Sequence, residues 1–331
     1  MSLATLQSRP ANDAKPSRIV IEPVTPIIGA EISGVDLTRP LDAETFAEIR
    51  QAIRKWRVIF FRDQDITNEQ LKTFGRYFGP LTPAHPISEG LDDHPEIWER
   101  AVDEYRVRRS ENDNLKPGAR KPRDYKGWHI DITFVANPNA YSLLYGVQIP
   151  EYGGDTLFAN TAAAYADLPE HLRLLADRAW AEHSNEYDYA EHPQFRSTEV
   201  EEYHKVFVST RYRTAHPVVR VNPDSGVPNL FIGNFVTGII GLSKTEGRDI
   251  LRLLQHYVTR PENTLRHKWQ VGDIVVWDNR STQHYAADDY GDLARKLHRV
   301  TVAGDVPVSL DGTKSYILEG DEATHYTPQV Q

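Results

Sequence analysis

Val271-Gly272-Asp273-Ile274-Val275-Val276-Trp277-Asp278-Asn279-Arg280-Ser281-Thr282-Gln283-His284 reads as a short buried strand, a tight polar turn and a histidine. A sandwich of two facing sheets can use such a histidine, because it brings side chains from distant strands to one point. The rest of the chain agrees with a β-rich frame. Further short strands, punctuated by Gly, Pro and Asn, are expected at 141–147, 155–158, 218–221, 230–232, 273–277 and 297–302. Strands without alternating helices predict a mainly β fold with flanking helices, an antiparallel sandwich or jelly roll.

The helices are readable from their ends. Asp42 is placed to cap a helix over 43–56, with Phe46, Ile49, Ile53 and Trp56 on one face. Thr67 with Gln70, and Ser243 with Glu246, are capping boxes that open two more. The first puts Leu71, Phe74 and Phe78 on one face and stops at Gly79-Pro80; the second runs to about 258. A further helix follows Leu168-Pro169-Glu170 to about Arg178. Ahead of these lie a hairpin region over 18–41 and a buried strand at Arg57–Phe61. Residues 1–17 read as a loose tail, 18–318 as one domain and 319–331 as a second tail.

Composition narrows the chemistry. The chain has 331 residues, 40% hydrophobic and 26% charged, with no stretch apolar enough to span a membrane. It has no cysteine, which excludes disulfides, zinc–thiolate sites, iron–sulfur clusters and cysteine nucleophiles. Any metal must be held by histidine and carboxylate. A net charge of −9 argues against a nucleic-acid partner. A cytoplasmic protein is expected. One segment, 108–127, carries seven basic and three acidic residues with Pro117, Gly118 and Pro122. A polar loop of that length inside a domain is a lid or a mobile surface loop.

Trp128-His129-Ile130-Asp131 supplies the complementary signal. On extended backbone His129 and Asp131 share a face and can reach one ion. Two histidines and one carboxylate are the donor set of non-haem Fe(II) sites with open positions. Alone, a His-x-Asp pair is weak and reads as a hydrogen-bonded pair. Downstream, Arg295, Leu297 and Arg299 are expected on one strand face, with Lys296 and His298 on the other. Two inward arginines are costly unless they meet an anion, and a guanidinium fork suits a carboxylate. His216 and His298 are the rival ligands; His216 is expected to make structural hydrogen bonds and His298 to point away.

Four stretches then carry a resemblance: Trp128–Phe134, Tyr152-Gly153-Gly154-Asp155-Thr156, Trp277–Ala286, and Arg295–Arg299 with Val300–Pro307 after it. In order and spacing the chain resembles the taurine dioxygenase and alkylsulfatase branch of the Fe(II)/2-oxoglutarate-dependent dioxygenases, over about residues 18–318. It is most similar to the sulfate-ester dioxygenases, notably at Ala159–Tyr165 and Gly304–Val308. The resemblance implies a double-stranded β-helix (jelly roll), Fe(II), and 2-oxoglutarate and O₂ as cosubstrates. It makes His129, Asp131 and His284 the iron ligands. Arg295 and Thr156 would hold the distal carboxylate of 2-oxoglutarate. Arg299 would contact either that molecule or the anionic head of the substrate. His85 would meet a sulfate or sulfonate, while Ile132 and Phe235 would form the apolar wall; as an imidazolium, His85 could also pair with the anion by charge.

The implied reaction oxidises a substrate C–H bond as 2-oxoglutarate becomes succinate and CO₂. On a sulfated carbon the hydroxylated product collapses to an aldehyde and sulfate. The partner is a small anionic molecule, and a homo-oligomer is expected. Two departures touch the substrate mouth: loop 108–127 is longer than in the compact members, and Tyr125 replaces the asparagine that taurine dioxygenase carries four residues before the first iron histidine. The same chemistry on an amino acid, an aryloxy acid or a natural-product intermediate therefore stays open. So do a jelly-roll anion-binding protein without turnover and a metal-dependent hydrolase.

Overall fold

A computed structural model of the chain describes residues 19–87, 89–101, 127–186, 209–291 and 293–320. The tail 1–17, Tyr125 and all of loop 108–127 except Gly127 lie outside the described residues. Strands β1 (Val20–Pro23) and β2 (Ala30–Ser33) form the expected antiparallel hairpin. Helix α1 (Ala43–Trp56) follows, and the Asp42 carboxylate accepts the Thr45 N–H at 2.8 Å. After β3 (Val58–Phe61), α2 (Asn68–Arg76) opens with a complete capping box. The Thr67 N–H donates to Gln70 Oε1 at 2.8 Å and the Gln70 N–H to Thr67 Oγ1 at 3.3 Å.

The chain then runs through β4 (Trp98–Ala101), β5 (Tyr141–Gln148), β6 (Thr156–Asn160), α3 (Thr161–Ala166), α4 (Glu170–Arg178) and β7 (Trp180–Ser184). Next come β8 (Arg213–Pro217), β9 (Val219–Val221), β10 (Pro228–Leu230), β11 (Val236–Ile239) and α5 (Lys244–Val258), which Ser243 and Glu246 cap as expected. Strands β12 (Thr264–His267), β13 (Ile274–Asp278), β14 (Thr282–Ala286), β15 (Lys296–Val302) and β16 (Tyr316–Glu319) complete it. Glu319, read from the sequence as the first residue of a tail, instead ends β16, and its carboxylate pairs with Arg213 at 3.2 Å; residues 321–331 lie outside the described residues.

The fold is mainly β. Among the described residues one sheet has the order β1-β2-β3-β13-β5-β15-β4, with only β2 and β3 parallel within it. Smaller sheets are β11-β7-β8-β16, β12-β6-β14 and β10-β9. The two-residue period of a strand sorts the core. In β3, Ile59 and Phe61 join the helices α1 and α2 in one cluster, while Val58 and Phe60 face the other way. In β13, Ile274 and Val276 take the helix side, while Val275 and Trp277 take the second side with Phe158 of β6 and Leu265 of β12. The large sheet is thus covered by helices on one face and by the β12-β6-β14 sheet on the other. Each such side chain contributes about 1.5–3 kcal/mol when fully buried. The candidate site lies between the two sheets.

The strands β4 and β14 escape pattern reading because Trp98-Glu99-Arg100-Ala101 and Thr282-Gln283-His284-Tyr285-Ala286 lack an apolar alternation. Thr282, Gln283 and His284 are nonetheless buried, and the first two are tied by hydrogen bonds: Thr282 Oγ1 to the Asp278 carbonyl at 2.8 Å and Gln283 Nε2 to the Ile232 carbonyl at 2.6 Å.

Candidate active site

The segment 129–134 is not the regular strand that its spacing predicts. His129 makes a single antiparallel bridge to His284: each N–H donates to the other's carbonyl, at 3.0 and 2.8 Å. A turn then begins at Asp131. Ile132 has φ +46°, a left-handed conformation that costs a β-branched residue about 1–3 kcal/mol. Close packing holds it there, for Ile132 is buried with Phe134, Val135, Tyr212 and Phe235.

The bridge and the turn do what the extended segment was expected to do. One ligand atom each from His129, Asp131 and His284 lies within 4.8 Å of the others, and these residues form the group among the described residues able to hold a metal ion. Asp131 Oδ1 is 4.0 Å from His129 Nε2 and 3.8 Å from His284 Nε2. His129 Nδ1 donates to the Gly127 carbonyl at 3.0 Å, which turns the Nε2 lone pair toward the cluster. Burial pushes the His129 imidazole below its ordinary pKa; burial and the His129 ring push His284 down to about 3. Burial opposes ionisation of Asp131, yet Arg299 and the two histidines hold it well below the usual carboxylate range. Neutral imidazoles and an ionised carboxylate are the states a divalent metal needs, so the donor set fits iron.

Arg299 and Ser142 share the Asp131 carboxylate. Arg299 Nη1 donates to Oδ1 at 3.0 Å and the Ser142 hydroxyl donates to Oδ2 at 2.6 Å. Arg299 Nε is buried without a hydrogen-bond partner, so the guanidinium keeps a donor aimed at no protein group. Its guanidinium carbon lies 4.3 Å from the Trp98 ring centroid. The strand face is only partly as expected: Arg295 precedes β15, and a register shift between Lys296 and Leu297 separates it from Arg299. His298 does point away, bonding Asn68 Oδ1 at 2.8 Å and Glu99 Oε2 at 3.0 Å. His216 is structural, bonded to the Thr133 carbonyl at 2.8 Å and Ser315 Oγ at 2.7 Å.

Thr156 lies along the same face of the small sheet as His284. In the β14/β6 register, His284 faces Phe158 and Ala286 faces Thr156, so Thr156 is about 7 Å further along the strand. Thr156 Oγ1 accepts the Trp269 indole N–H at 2.9 Å, which leaves its hydroxyl proton to donate elsewhere. Gly154, at φ +68°, approaches Arg295 so closely that a Cβ would lie 3.1 Å from its Cδ and Nε. This is the close backbone turn expected of Gly153-Gly154.

His85 needs correction. Burial, then the Arg299 charge, push it down to about 3, so it is a neutral imidazole and not an imidazolium. Its Nδ1 accepts the Ile87 N–H at 3.2 Å, which makes Nε2 the donor, and its ring lies 5.0 Å from Trp98. Phe235 packs edge-on to His129 and Phe134, with centroids 6.3 and 5.1 Å apart. Sequence reading missed Trp98 and Arg100 on β4. Register pairs Trp98 with Arg299 and Arg100 with Leu297, so both face the site, and the Arg100 guanidinium lies 4.4 Å from the Trp98 centroid. No local motif marks them; their place depends on pairing with β15.

This donor set, two histidines and one carboxylate, is the one that non-haem iron oxygenases use. The chain belongs to the family described as Taurine catabolism dioxygenase TauD, TfdA family, whose sequence profile matches residues 21–301. It is an enzyme of the 2-oxoglutarate-dependent dioxygenase class. It is 46% identical over 298 residues to an alpha-ketoglutarate-dependent sulfate ester dioxygenase of Pseudomonas putida, covering 89% of this chain and 93% of that protein. It is 42% identical over 301 residues to an alkylsulfatase of Acinetobacter baylyi, covering 90% and 89%. The crystal structure of a taurine dioxygenase from Burkholderia xenovorans superposes with a TM-score of 0.76 at 38% identity, covering 94% of this chain and 98% of that one. Among the described residues no helix is long and apolar enough to cross a membrane.

Proposed function

We propose that this dioxygenase oxidises the C–H bond next to the anionic group of a small alkyl sulfate ester or sulfonate. The observation that carries the reading is the wall beside the metal cluster: Arg299 and Arg100 stand against Trp98, with His85 on the same ring. Two guanidiniums match a tetrahedral sulfur anion, and the rings exclude water around them. The similarity to a sulfate ester dioxygenase and an alkylsulfatase supports the same class. We read the facing sheets as a double-stranded β-helix, forming one dioxygenase domain from residue 18 to the end of β16 at Glu319.

In this reading His129, Asp131 and His284 would hold iron, which when bound would supply the O₂ chemistry coupled to conversion of 2-oxoglutarate to succinate and CO₂. Arg295 and the Thr156 hydroxyl bind the distal carboxylate of 2-oxoglutarate. Arg299 and Arg100 bind the substrate anion, with neutral His85 donating through Nε2. Ile132 and Phe235 bury the alkyl chain and shield the reacting carbon from water. Insertion of one oxygen atom into the C–H bond gives a carbon bearing both hydroxyl and sulfate. It loses hydrogensulfate as the hydroxyl becomes the aldehyde carbonyl; a sulfonate loses sulfite in the same way.

The test is succinate formation by Fe(II)-loaded protein with 2-oxoglutarate and O₂, across alkyl sulfates, sulfonates, aryloxy acids and amino acids. Strong stimulation by a sulfate ester or sulfonate, with sulfate or sulfite released, is expected. Stimulation confined to amino acids or aryloxy acids overturns the substrate class. Anaerobic product release without 2-oxoglutarate overturns the oxygenase reaction.

A further inference from the structure

We propose that Ser142 and Asn279 are positioning residues of the metal centre, forming with Trp277 a buried hydrogen-bond relay that aims one oxygen of Asp131 at the two histidines. The Trp277 indole N–H donates to Asn279 Oδ1 at 2.9 Å, Asn279 Nδ2 donates to Ser142 Oγ at 2.8 Å, and the Ser142 hydroxyl donates to Asp131 Oδ2 at 2.6 Å. All four residues are at most 3% exposed, so water does not compete for these groups.

The direction of the relay follows from donor chemistry alone. An indole N–H can only donate, so the Asn279 oxygen must face Trp277 and its NH₂ must face Ser142. Ser142 Oγ then receives a proton, and its own proton goes to the one acceptor left, Asp131 Oδ2. With Oδ2 committed, Oδ1 is the oxygen turned toward His129 and His284. The backbone cannot supply this orientation by itself, because Asp131 opens a turn beside the left-handed Ile132. Register builds the relay: Ser142 on the central strand β5 pairs with Trp277 on β13, which brings the three side chains together across the sheet. Trp277 also packs its ring on His284, with centroids 4.9 Å apart. One buried tryptophan therefore touches one proposed ligand directly and orients another through two hydrogen bonds.

The inference rests on the cluster holding a divalent metal. Co(II) alone is the probe, read by calorimetric affinity and by the visible absorption of the bound ion. Ser142→Ala removes the last donor and Asn279→Leu removes the middle of the relay at similar volume. Each is expected to weaken Co(II) binding by about 10–100-fold and to change its visible spectrum. Trp277→Phe keeps the ring on His284 and removes only the N–H, so a smaller loss is expected. Thr301→Val is the control for a structural effect. Thr301 pairs with Ser142 on β15 and is equally buried, but its hydroxyl bonds Thr82 and not the relay. Its thermal stability should fall while Co(II) affinity and spectrum stay as in the parent.

Parent-like Co(II) affinity and spectrum in a folded Ser142→Ala or Asn279→Leu apoprotein overturn the relay. If neither apoprotein folds, Trp277→Phe decides: a spectrum and affinity identical to the parent's overturn it. A parent chain that binds no Co(II) overturns the metal reading instead, which keeps the two failures distinct.

Discussion

Arg299 Nη1 lies 3.0 Å from Asp131 Oδ1, the carboxylate oxygen that also faces His129 and His284. A cation and two imidazoles thus converge on one oxygen atom, and the carboxylate stays ionised against the cost of burial. The pairing joins the proposed metal ligand to the proposed anion wall, because the same guanidinium packs on Trp98. Charge at one place is therefore felt at the other.

Asp131→Ala is expected to abolish substrate-coupled succinate formation and to weaken Fe(II) binding severely, since it removes the single carboxylate from the donor set and leaves Arg299 a buried unpaired cation. Metal content and succinate, measured on the same preparation, check this. Retained product formation would falsify the ligand assignment.

Arg295→Ala should raise the KM for 2-oxoglutarate by about 10–100-fold, the loss expected of a charge-assisted hydrogen bond worth roughly 1.5–3 kcal/mol. Metal affinity should hardly move. Gly154→Ala should shift the same constant in the same direction, because its Cβ would press on the Arg295 side chain from 3.1 Å. Steady-state kinetics with 2-oxoglutarate varied would show both; an unaltered KM in Arg295→Ala removes it from the cosubstrate site.

Arg100→Gln tests the anion wall that β4 contributes. The KM for a sulfate ester should rise about tenfold while that for 2-oxoglutarate stays put, since one of two cations facing the substrate is lost. The dependence of substrate KM on added salt should also become shallower. A change in the 2-oxoglutarate constant alone would place Arg100 on the other ligand.

Acid should destabilise the apoprotein well above the pKa of its carboxylates. Burial pushes His216 down to about 3, and burial followed by the neighbouring His216 holds His183 well below its ordinary value. Between about pH 6.5 and 3 the unfolded chain binds these protons and the folded chain does not, so stability falls as pH falls through that window. The urea midpoint should drop between pH 7 and 5. His216→Gln should lower the midpoint at pH 7, since it breaks the bonds to Thr133 and Ser315, but flatten its slope against pH. An unchanged slope would mean that His216 does not carry the effect.

Much of the site was legible because its marks are local. The Thr67–Gln70 and Ser243–Glu246 capping boxes span four residues each and form as read, since their hydrogen bonds close within one helical turn. His129, Asp131 and His284 stood out through the His-x-Asp spacing, the histidine after the polar turn and the family resemblance that these stretches carry. The charge of His85 was misread because an imidazole pKa depends on burial, which a loop sequence does not display.

By itself the sequence determined the helices that Asp42, Thr67 and Ser243 cap, several of the strands, and the short motifs that carry the proposed ligands and the downstream arginines, each a mark that spans only a few residues. Only the tertiary structure decided that Asp131 sits in a turn beside a left-handed Ile132, that Arg299 grips Asp131, that Trp98 and Arg100 face the site, and that Ser142 meets Asn279. Each of those contacts spans strands far apart in sequence, and a shift of one residue in register would turn the side chains to the opposite face.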